Sequence, residues 1–297
     1  MDSMRDRFTA VAVDLLDHRD DVVVALADIG VAPFAANGAM RRHPDRVLNV
    51  GIREQALVGV AAGFALAGFV PIVHSYAPFL VQRPWEQLKL DFGHQGLRGV
   101  FVSIGASYDA ADNGRTHQAP EDVALLATLP EWQIVVPGHP DEAETALRAA
   151  IDRPGSTYIR LAADHNAEPH GPSDRSTVIR TGALDAPTIL AIGPMLDQVM
   201  PAAETHDLSV LYATTVRPID ESTLRAVVAT EVIVVEPFLE GTLAGAVTTA
   251  LSDRRHRVHS IGVARPELRR YGARAEHDDA HDLDAAGIMR RIDSLVG

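Results

Sequence analysis

The sequence predicts an α/β protein built from two doubly wound domains. Short apolar runs alternate with amphipathic stretches of helical period along most of the chain, which is typical of a parallel sheet covered by helices. Residues 164–176 interrupt this alternation with a polar stretch rich in Pro, Gly and Asp, as linkers often are. We therefore expect a first domain over residues 1–165, a linker over 166–180 and a second domain over 181–297.

The predicted elements follow each other in a regular order. In the first domain we expect strands at 22–27, 69–73, 99–104, 133–136 and 157–161, and helices at 5–18, 56–68, 84–92, from 120 onward and at 141–151. In the second domain we expect strands at 188–192, 208–213, 232–235 and 259–263, and helices at 196–205, 221–229, 242–251 and 284–296. Asp28 directly follows the first strand, and the carboxyl ends of strands are where open α/β sheets bind ligands.

Length, charge and composition limit the possible functions. The 297 residues suffice for two domains with cores of their own, and 46% hydrophobic with 23% charged residues indicates a globular chain. The formal net charge of −13 argues against nucleic acid or an anionic membrane as a partner, but it permits a small-molecule substrate that is itself anionic. The chain has no cysteine, and its N-terminus has no apolar leader, so we expect a cytoplasmic protein.

One apolar stretch requires a choice between a membrane span and a buried helix. Residues 56–73 carry no charged side chain, and their length is close to the minimum of about 18 residues that spans a bilayer. Pro71 and several glycines interrupt the stretch, so we expect a helix of small residues to about Gly68 and then a buried strand. The glycines would allow a second helix, from this chain or from a partner, to approach closely.

Glu54 is the residue on which the functional interpretation depends. It lies at the start of this Ala/Gly-rich helix, where burial would leave a carboxylate in need of a proton or a partner. An aromatic and basic cluster of Tyr76, Phe79 and Arg83 follows the next strand. A structural role remains open, because a glutamate in the first turn also satisfies free N–H groups and the helix dipole.

Several motifs, taken in their order and spacing, give nearly the whole chain a resemblance to the C-terminal half of the transketolase family. They are ALADIG (25–30), GIREQALVGVAAGFALAG (51–68), YAPFLVQRPWEQ (76–87), NGRTHQAPEDVALLATLP (113–130), VVPGHPDEAE (135–144), YIRL (158–161), VRPID (216–220) and VVEPFLEGTLAGAV (234–247). The resemblance implies a thiamine pyrimidine-binding domain followed by the family's C-terminal domain. It also implies thiamine diphosphate as the cofactor.

The resemblance also implies a partner. Thiamine enzymes hold the diphosphate through a divalent metal, bound by a Gly-Asp-Gly segment and a downstream asparagine, and this sequence contains no Gly-Asp-Gly. We therefore expect no metal ligand in this chain. An alpha-type subunit with the Gly-Asp-Gly domain would hold the diphosphate and Mg²⁺ (or Ca²⁺ or Mn²⁺), and this chain would be the beta-type subunit of a split transketolase, in the α2β2 heterotetramer usual for the family.

Two residues match catalytic positions of the family. Glu54 matches the glutamate that hydrogen-bonds a ring nitrogen of the aminopyrimidine and so promotes proton removal from the thiazolium carbon. His117, in the THQ motif, matches the histidine that faces the substrate, where an imidazole moves protons to and from oxygen atoms.

Four further residues are expected to bind the cofactor. Asp28 is placed there by its position after the first strand, and Phe79 or Tyr76 would pack on the face of the pyrimidine. The loop around Phe79 is one residue longer than the pattern YSTFLQR of related synthases, so the packing ring is either of the two. Arg83 would bind near the cofactor or a substrate anion, with a surface ion pair as its alternative.

The expected substrate-binding residues are Asn113, Arg115, His74 and Arg160. The family's DGPTHQ reads NGRTHQ here, so Asn113 replaces a carboxylate that contacts a substrate hydroxyl, and Arg115 adds a cation to the loop. Arg160, in YIRL, is expected either to reach a substrate phosphate or to be a charge at the end of a strand.

The resulting prediction is a thiamine diphosphate-dependent transferase, active only with its partner subunit. It would move a two-carbon ketol or acyl unit from a ketose or 2-oxo donor to an aldehyde-type acceptor. One alternative is a subunit similar to deoxyxylulose phosphate synthase or to the beta chain of a 2-oxo acid dehydrogenase. Another is a non-catalytic assembly subunit that keeps the fold.

Overall fold

The strands of the chain belong to two sheets in the computed structural model, which describes residues 3–171 and 174–296. The strands are β1 (Val22–Leu26), β2 (Val47–Asn49), β3 (Val70–Tyr76), β4 (Gly99–Ile104), β5 (Gln133–Val135), β6 (Ser156–Arg160), β7 (Thr177–Arg180), β8 (Thr188–Ile192), β9 (Ser209–Ala213), β10 (Thr215–Arg217), β11 (Glu231–Leu239) and β12 (Arg257–Val263). The first sheet has the order β10-β5-β6-β4-β3-β1-β2, and the second has the order β12-β11-β8-β9-β7.

Helices connect most of these strands. They are α1 (Met4–His18), α2 (Val31–Ala36), α3 (Ala39–Arg42), α4 (Glu54–Leu66), α5 (Trp85–Gln87), α6 (Asp122–Leu126), α7 (Pro140–Asp152), α8 (Leu196–Thr205), α9 (Glu221–Val227), α10 (Ala244–Ala250), α11 (Arg274–Ala280) and α12 (Ala285–Val296). Two π-helical segments, Pro78–Gln82 and Leu88–His94, flank α5 and extend the predicted helix at 84–92 in both directions. No helix within the described ranges is long and apolar enough to span a bilayer.

The predicted class of two doubly wound α/β domains is confirmed. Neighbouring strands are parallel throughout both sheets except at one edge of each, where β10 and β7 are antiparallel. All five residues of β1 are buried, because helices cover both faces of the first sheet. Val24 packs into the layer that contains Phe8 of α1, whereas Ala25 faces the layer that contains Leu57 of α4. The alternation of side chains along a strand produces these two cores.

Two strands lie outside the domain ranges expected for them. β7 falls inside the predicted linker 166–180 but pairs with β9 of the second sheet. β10 lies in the predicted second domain but pairs with β5 of the first sheet. The chain therefore crosses back to the first sheet, and the boundaries at 165 and 181 stay predictions.

The stretch around Glu54 folds largely as the sequence predicts. α4 begins at Glu54 and ends at Leu66, two residues before the predicted end. β3 begins at Val70 and continues to Tyr76 rather than stopping at residue 73, since residues 72–76 pair with β4. The short elements α2, α3 and β2 were not expected from the pattern.

Candidate active site

The candidate site lies at the carboxyl ends of β2, β3 and β4 of the first sheet. Glu54 opens the helix that follows β2, and Tyr76 ends β3. The loop after β4, residues 105–118, carries His117 and is called the substrate loop below. Carboxyl ends of parallel strands meet at one edge of a sheet, so residues from distant parts of the sequence converge there.

Arg83 contacts both the Glu54 carboxylate and the Phe79 ring. Its Nη1 donates a hydrogen bond of 2.9 Å to Oε1 of Glu54, and its guanidinium carbon lies 3.8 Å from the centroid of the Phe79 ring. Glu54 is only 3% exposed, whereas the Arg83 side chain is 41% exposed. The pair therefore consists of a buried anion and a cation that reaches it from the surface.

The second carboxylate oxygen of Glu54 is free for a ligand. Oε2 makes no hydrogen bond to any residue that the structure describes, and no first-turn N–H group donates to the side chain. The structural alternative, in which Glu54 caps its own helix, is therefore not what the structure shows. A buried carboxylate with one unused oxygen is an acceptor for a donor from outside the chain.

Three rings pack against each other, and one of them, Phe79, contacts Arg83. The centroids of Phe79 and His117 are 4.9 Å apart, those of Tyr76 and His117 5.7 Å, and those of Tyr76 and Phe79 6.0 Å, all with edge-to-face geometry. Gly105 makes room for the Tyr76 ring, because its φ is +73° and a Cβ there would lie 2.2 Å from Tyr76 Cδ1. The structure thus brings together five residues proposed from the sequence.

His117 is half-buried at the end of a short 3₁₀ turn, Arg115–His117. Its backbone N–H donates to the carbonyl of Gly114 at 2.9 Å, and its ring Nδ1 lies 3.0 Å from the hydroxyl of Thr116. The other ring nitrogen, Nε2, has no hydrogen-bond partner within the described part of the chain. That nitrogen is available to a substrate.

The two other candidates of the substrate loop are held by neighbouring polar groups. Asn113 is exposed, and its side-chain amide donates to Asp112 at 3.2 Å. Arg115 lies 2.5 Å from Glu121 and 3.2 Å from Glu267. Two carboxylates thus pair with the cation that Arg115 adds to the loop.

Asp28 is paired with Asn49 at the end of β1. It follows β1 with φ of +61°, and its carboxylate accepts a 2.9 Å hydrogen bond from the amide of Asn49, whose own carbonyl accepts from the Asp28 backbone N–H. No hydrogen bond, ion pair or ring contact joins the exposed Asp28 to Glu54 or Phe79 within the described residues.

His74 is buried, away from solvent. Its Nδ1 lies 2.8 Å from the carbonyl of Val102, and its ring packs 4.6 Å from Phe8 on the α1 side of the sheet. Burial lowers the pKa of His74 to about 4, so the ring is neutral at physiological pH. The structure places His74 in the core rather than in contact with a substrate.

Arg160 is likewise fully buried, which the sequence did not indicate. Its Nε contacts both oxygens of Asp122, at 2.8 and 3.1 Å, and its Nη2 donates to Ser107 at 2.6 Å. Tyr158 also donates to Asp122, at 2.7 Å, and burial raises the pKa of its hydroxyl well above the usual value. Arg160 is the last residue of β6, and its charge is buried and paired with Asp122.

Sequence analysis missed Asp122 and Ser107. The hydroxyl of Ser107 donates to the carbonyl of Pro237 at 2.6 Å, so the Arg160 network reaches the second sheet. A cavity of about 450 Å³ adjoins this network, lined by Ser107, Arg160, Asp109 and Arg274 among others, and it does not include the Glu54 cluster. The only sequence signal was an acidic residue next to Glu121 in a conspicuous motif, which gave no partner.

The fold and this cluster define a protein of the transketolase class. A buried glutamate opens a helix at the carboxyl edge of a parallel sheet, beside aromatic rings and a histidine. The family model described as "Transketolase, pyrimidine binding domain" matches residues 2–165. The chain belongs to this family, whose cofactor is thiamine diphosphate.

Two relatives and one solved structure match most of this chain and most of their own length. An uncharacterized 33.6 kDa protein of the fasciation locus of Rhodococcoides fascians is 43% identical over 98% of this chain and 95% of its own. One of the subunits of the apulose-4-phosphate transketolase of Actinobacillus succinogenes is 30% identical over 74% of this chain and 72% of its own. A solved structure described as a split gene transketolase, inactive beta4 tetramer, superposes with a TM-score of 0.83 at 26% identity, covering 98% of this chain and 97% of that one. The chain is therefore similar to transketolase beta subunits over both of its sheets.

Proposed function

We propose that the chain is the beta subunit of a thiamine diphosphate-dependent transketolase that becomes active with a partner subunit. The reaction is the transfer of a two-carbon ketol or acyl unit from a ketose or 2-oxo donor to an aldehyde-type acceptor. The observation that carries the proposal is the buried Glu54 carboxylate with an unused oxygen beside Phe79. Similarity to a subunit of the apulose-4-phosphate transketolase and to a split gene transketolase chain supports it.

The residues present fit the aminopyrimidine half of the cofactor. Oε2 of Glu54 is free to hydrogen-bond a ring nitrogen, and Tyr76 and Phe79 provide aromatic surface beside it. The Arg83 guanidinium covers one face of Phe79, so a ring that packs on this face must displace it. When bound, thiamine diphosphate supplies a nucleophilic carbon that attacks a substrate carbonyl.

In this reaction His117 transfers protons to and from the oxygen atoms of the substrate. Its ring contacts Tyr76 and Phe79, and its Nε2 has no partner among the described residues. A neutral imidazole in this place accepts a proton from a substrate hydroxyl and returns it to the carbonyl oxygen at a later stage. Glu54 holds the ring nitrogen, and His117 serves the substrate oxygens.

The diphosphate and its Mg²⁺ belong, in this proposal, to an alpha-type partner with a Gly-Asp-Gly segment, in an α2β2 complex in the cytoplasm. Exposed apolar side chains at and near α4 support such an interface: Ile52 is 69%, Leu66 66% and Val60 37% exposed. Gly63 on the same helix is exposed, and nothing lies within 4 Å of a Cβ placed there, so another backbone can approach. Large exposed apolar groups of this kind mark interaction surfaces.

Two measurements test the proposal. Calorimetric titration of thiamine diphosphate and Mg²⁺ into the purified chain should show weak binding, and addition of the alpha-type partner should make binding tight. In that complex Glu54→Gln should abolish ketol transfer while light scattering shows unchanged assembly. Glu144→Gln, which changes a half-buried carboxylate on α7 paired with Arg7 and Arg148, is the control and should leave turnover unchanged.

Either measurement can overturn its part of the proposal. Tight, metal-dependent binding of thiamine diphosphate by the chain alone would refute the split site. Activity of the Glu54→Gln complex within about threefold of the wild type would remove Glu54 from the chemistry, since acid–base groups contribute about 10²–10⁴-fold.

A further inference from the structure

One segment of the second domain contacts the substrate loop along most of its length. This segment, residues 264–281, follows β12 and includes α11, and it is called the clasp below. At one end of the loop, Arg274 of the clasp donates to Asp109 at 2.9 Å. At the other end, the Gln118 amide donates to the carbonyl of Arg270 at 3.2 Å. The loop that carries His117 is therefore held from the second domain.

The base of the clasp is a buried stack of rings. Tyr108 of the substrate loop stacks on His277 with centroids 4.2 Å apart, and its hydroxyl lies 3.0 Å from Nε2 of His281. All three side chains are buried. This contact fixes the first part of the loop, but it lies nine residues before His117 in the sequence.

Tyr271 of the clasp contacts the substrate loop at Gly114, three residues before His117. Its ring lies against Gly114, where φ is +80° and a Cβ would come within 2.5 Å of Tyr271 Cε1. The carbonyl of Gly114 accepts the backbone hydrogen bond of His117. Tyr271 thus contacts Gly114 directly, and Gly114 in turn is hydrogen-bonded to His117.

The exposure of Tyr271 distinguishes it from the rest of the clasp. The side chain is 70% exposed, and its hydroxyl has no hydrogen bond with any described residue. An aromatic residue that buries so little area contributes little to the stability of the fold. The ring lies against Gly114, and this contact does not require the hydroxyl.

We propose that Tyr271 is a positioning residue: its ring holds Gly114, and thereby keeps His117 in place beside Phe79. The chemical consequence rests on the function proposed above for His117, whereas the effect on the loop does not. Loss of the ring frees the turn Arg115–His117, and small displacements of a catalytic group cost about 10²-fold when they approach 1 Å.

Hydrogen exchange of the full chain tests the structural half. Tyr271→Ala should accelerate amide exchange about tenfold in the segment 113–118, because local opening becomes easier, while the melting temperature stays within about 2 °C of the wild type. Tyr271→Phe keeps the ring and should exchange like the wild type. Leu184→Ala, a control that removes another highly exposed side chain of the second domain, should change neither quantity. Unchanged exchange in Tyr271→Ala overturns the proposal.

Kinetics of the complex with the partner subunit test the functional half. Tyr271→Ala should lower kcat by about tenfold with thiamine diphosphate binding unchanged, and Tyr271→Phe should restore it. Faster loop exchange with unchanged kcat would refute a positioning role for Tyr271. A wild-type complex without ketol transfer would refute the proposed function, and hydrogen exchange would still decide whether Tyr271 holds the loop.

Discussion

Arg83 Nη1 lies 2.9 Å from Oε1 of Glu54, and this is the one hydrogen bond that the Glu54 side chain makes within residues 3–171 and 174–296. The same guanidinium lies over Phe79, with its central carbon 3.8 Å from the ring centroid. One side chain therefore sets the orientation of the carboxylate and covers the aromatic surface beside it. The planar guanidinium suits this double contact, which an ammonium cannot make.

Arg83→Lys should therefore impair the site although it preserves the charge. We expect kcat of the complex with the partner to fall about 10- to 100-fold, because Glu54 loses the partner that fixes its orientation. The stability of the chain should change little, since the arginine side chain is 41% exposed. Arg148→Lys, at an exposed ion pair with Glu144, is the control, and equal kcat in both variants would contradict the argument.

His117→Ala should lower turnover of the complex by about 10²-fold or more, as removal of a general acid–base group does. The melting temperature should remain near that of the wild type, because the ring is half-buried and has one polar contact within the loop. His18→Ala changes an exposed histidine on α1 and should leave turnover unchanged. Unaltered kinetics of His117→Ala with every accepted substrate would remove the residue from the site.

The Glu54 cluster was predictable because most of its members lie in one short stretch of sequence. Residues 51–83 contain the helix start, the following strand and the aromatic and basic residues, so local pattern alone brings them close. The position of His117 came from a motif in a loop. In both cases the information is local, and the structure needed only to join two segments at one edge of a parallel sheet.

Pairs that depend on tertiary packing were not predictable in the same way. Asp122 and Arg160 are 38 positions apart and meet only because α6 packs over the end of β6. Without that geometry, Arg160 reads as a cation at the end of a strand. β10 is a similar case, since three residues inside the second domain give no sign that they pair with the first sheet. Which edge strand such a short segment pairs with depends on where the chain runs in the folded protein, and the pattern of side chains does not show this.

Removal of one partner of the buried pair Asp122–Arg160 should destabilise the chain strongly, because the remaining charge stays buried without a partner. Removal of both partners should cost less. Both side chains are at most 1% exposed, so Asp122→Asn leaves a buried guanidinium without its counter-charge and should cost about 3–5 kcal/mol of unfolding free energy. The double variant Asp122→Leu with Arg160→Leu removes both charges and should be more stable than Asp122→Asn.

Urea denaturation of the full chain measures these differences. Arg257→Ala, which breaks an ion pair whose arginine is 68% exposed, is the control and should cost less than about 1 kcal/mol. If Asp122→Asn lost as little unfolding free energy as the control, the prediction would be wrong. Water or Tyr158 would then stabilise the Arg160 guanidinium without the carboxylate charge.

His74 should make the stability of the chain depend on pH in a defined window. Burial lowers the pKa of His74 from 6.5 to about 4 in the folded chain, whereas the unfolded chain binds the proton near the ordinary value. Between these two values the unfolded state holds more protons than the folded state, so stability rises with pH. The contribution of His74 is therefore complete above about pH 6.5 and is lost as the pH falls toward 4.

The size of this effect can be isolated with a variant that keeps the hydrogen bond to Val102. His74→Asn places an amide donor where Nδ1 contacts that carbonyl at 2.8 Å, and it does not titrate. Between pH 7 and 4 the wild type should lose up to about 3 kcal/mol more unfolding free energy than His74→Asn, measured by urea denaturation at each pH. The same comparison with His18→Gln, at an exposed site, should show no such difference. Parallel pH profiles for the wild type and His74→Asn would mean that the buried ring does not resist protonation, because the folded and unfolded chains would then bind equal numbers of protons over this window.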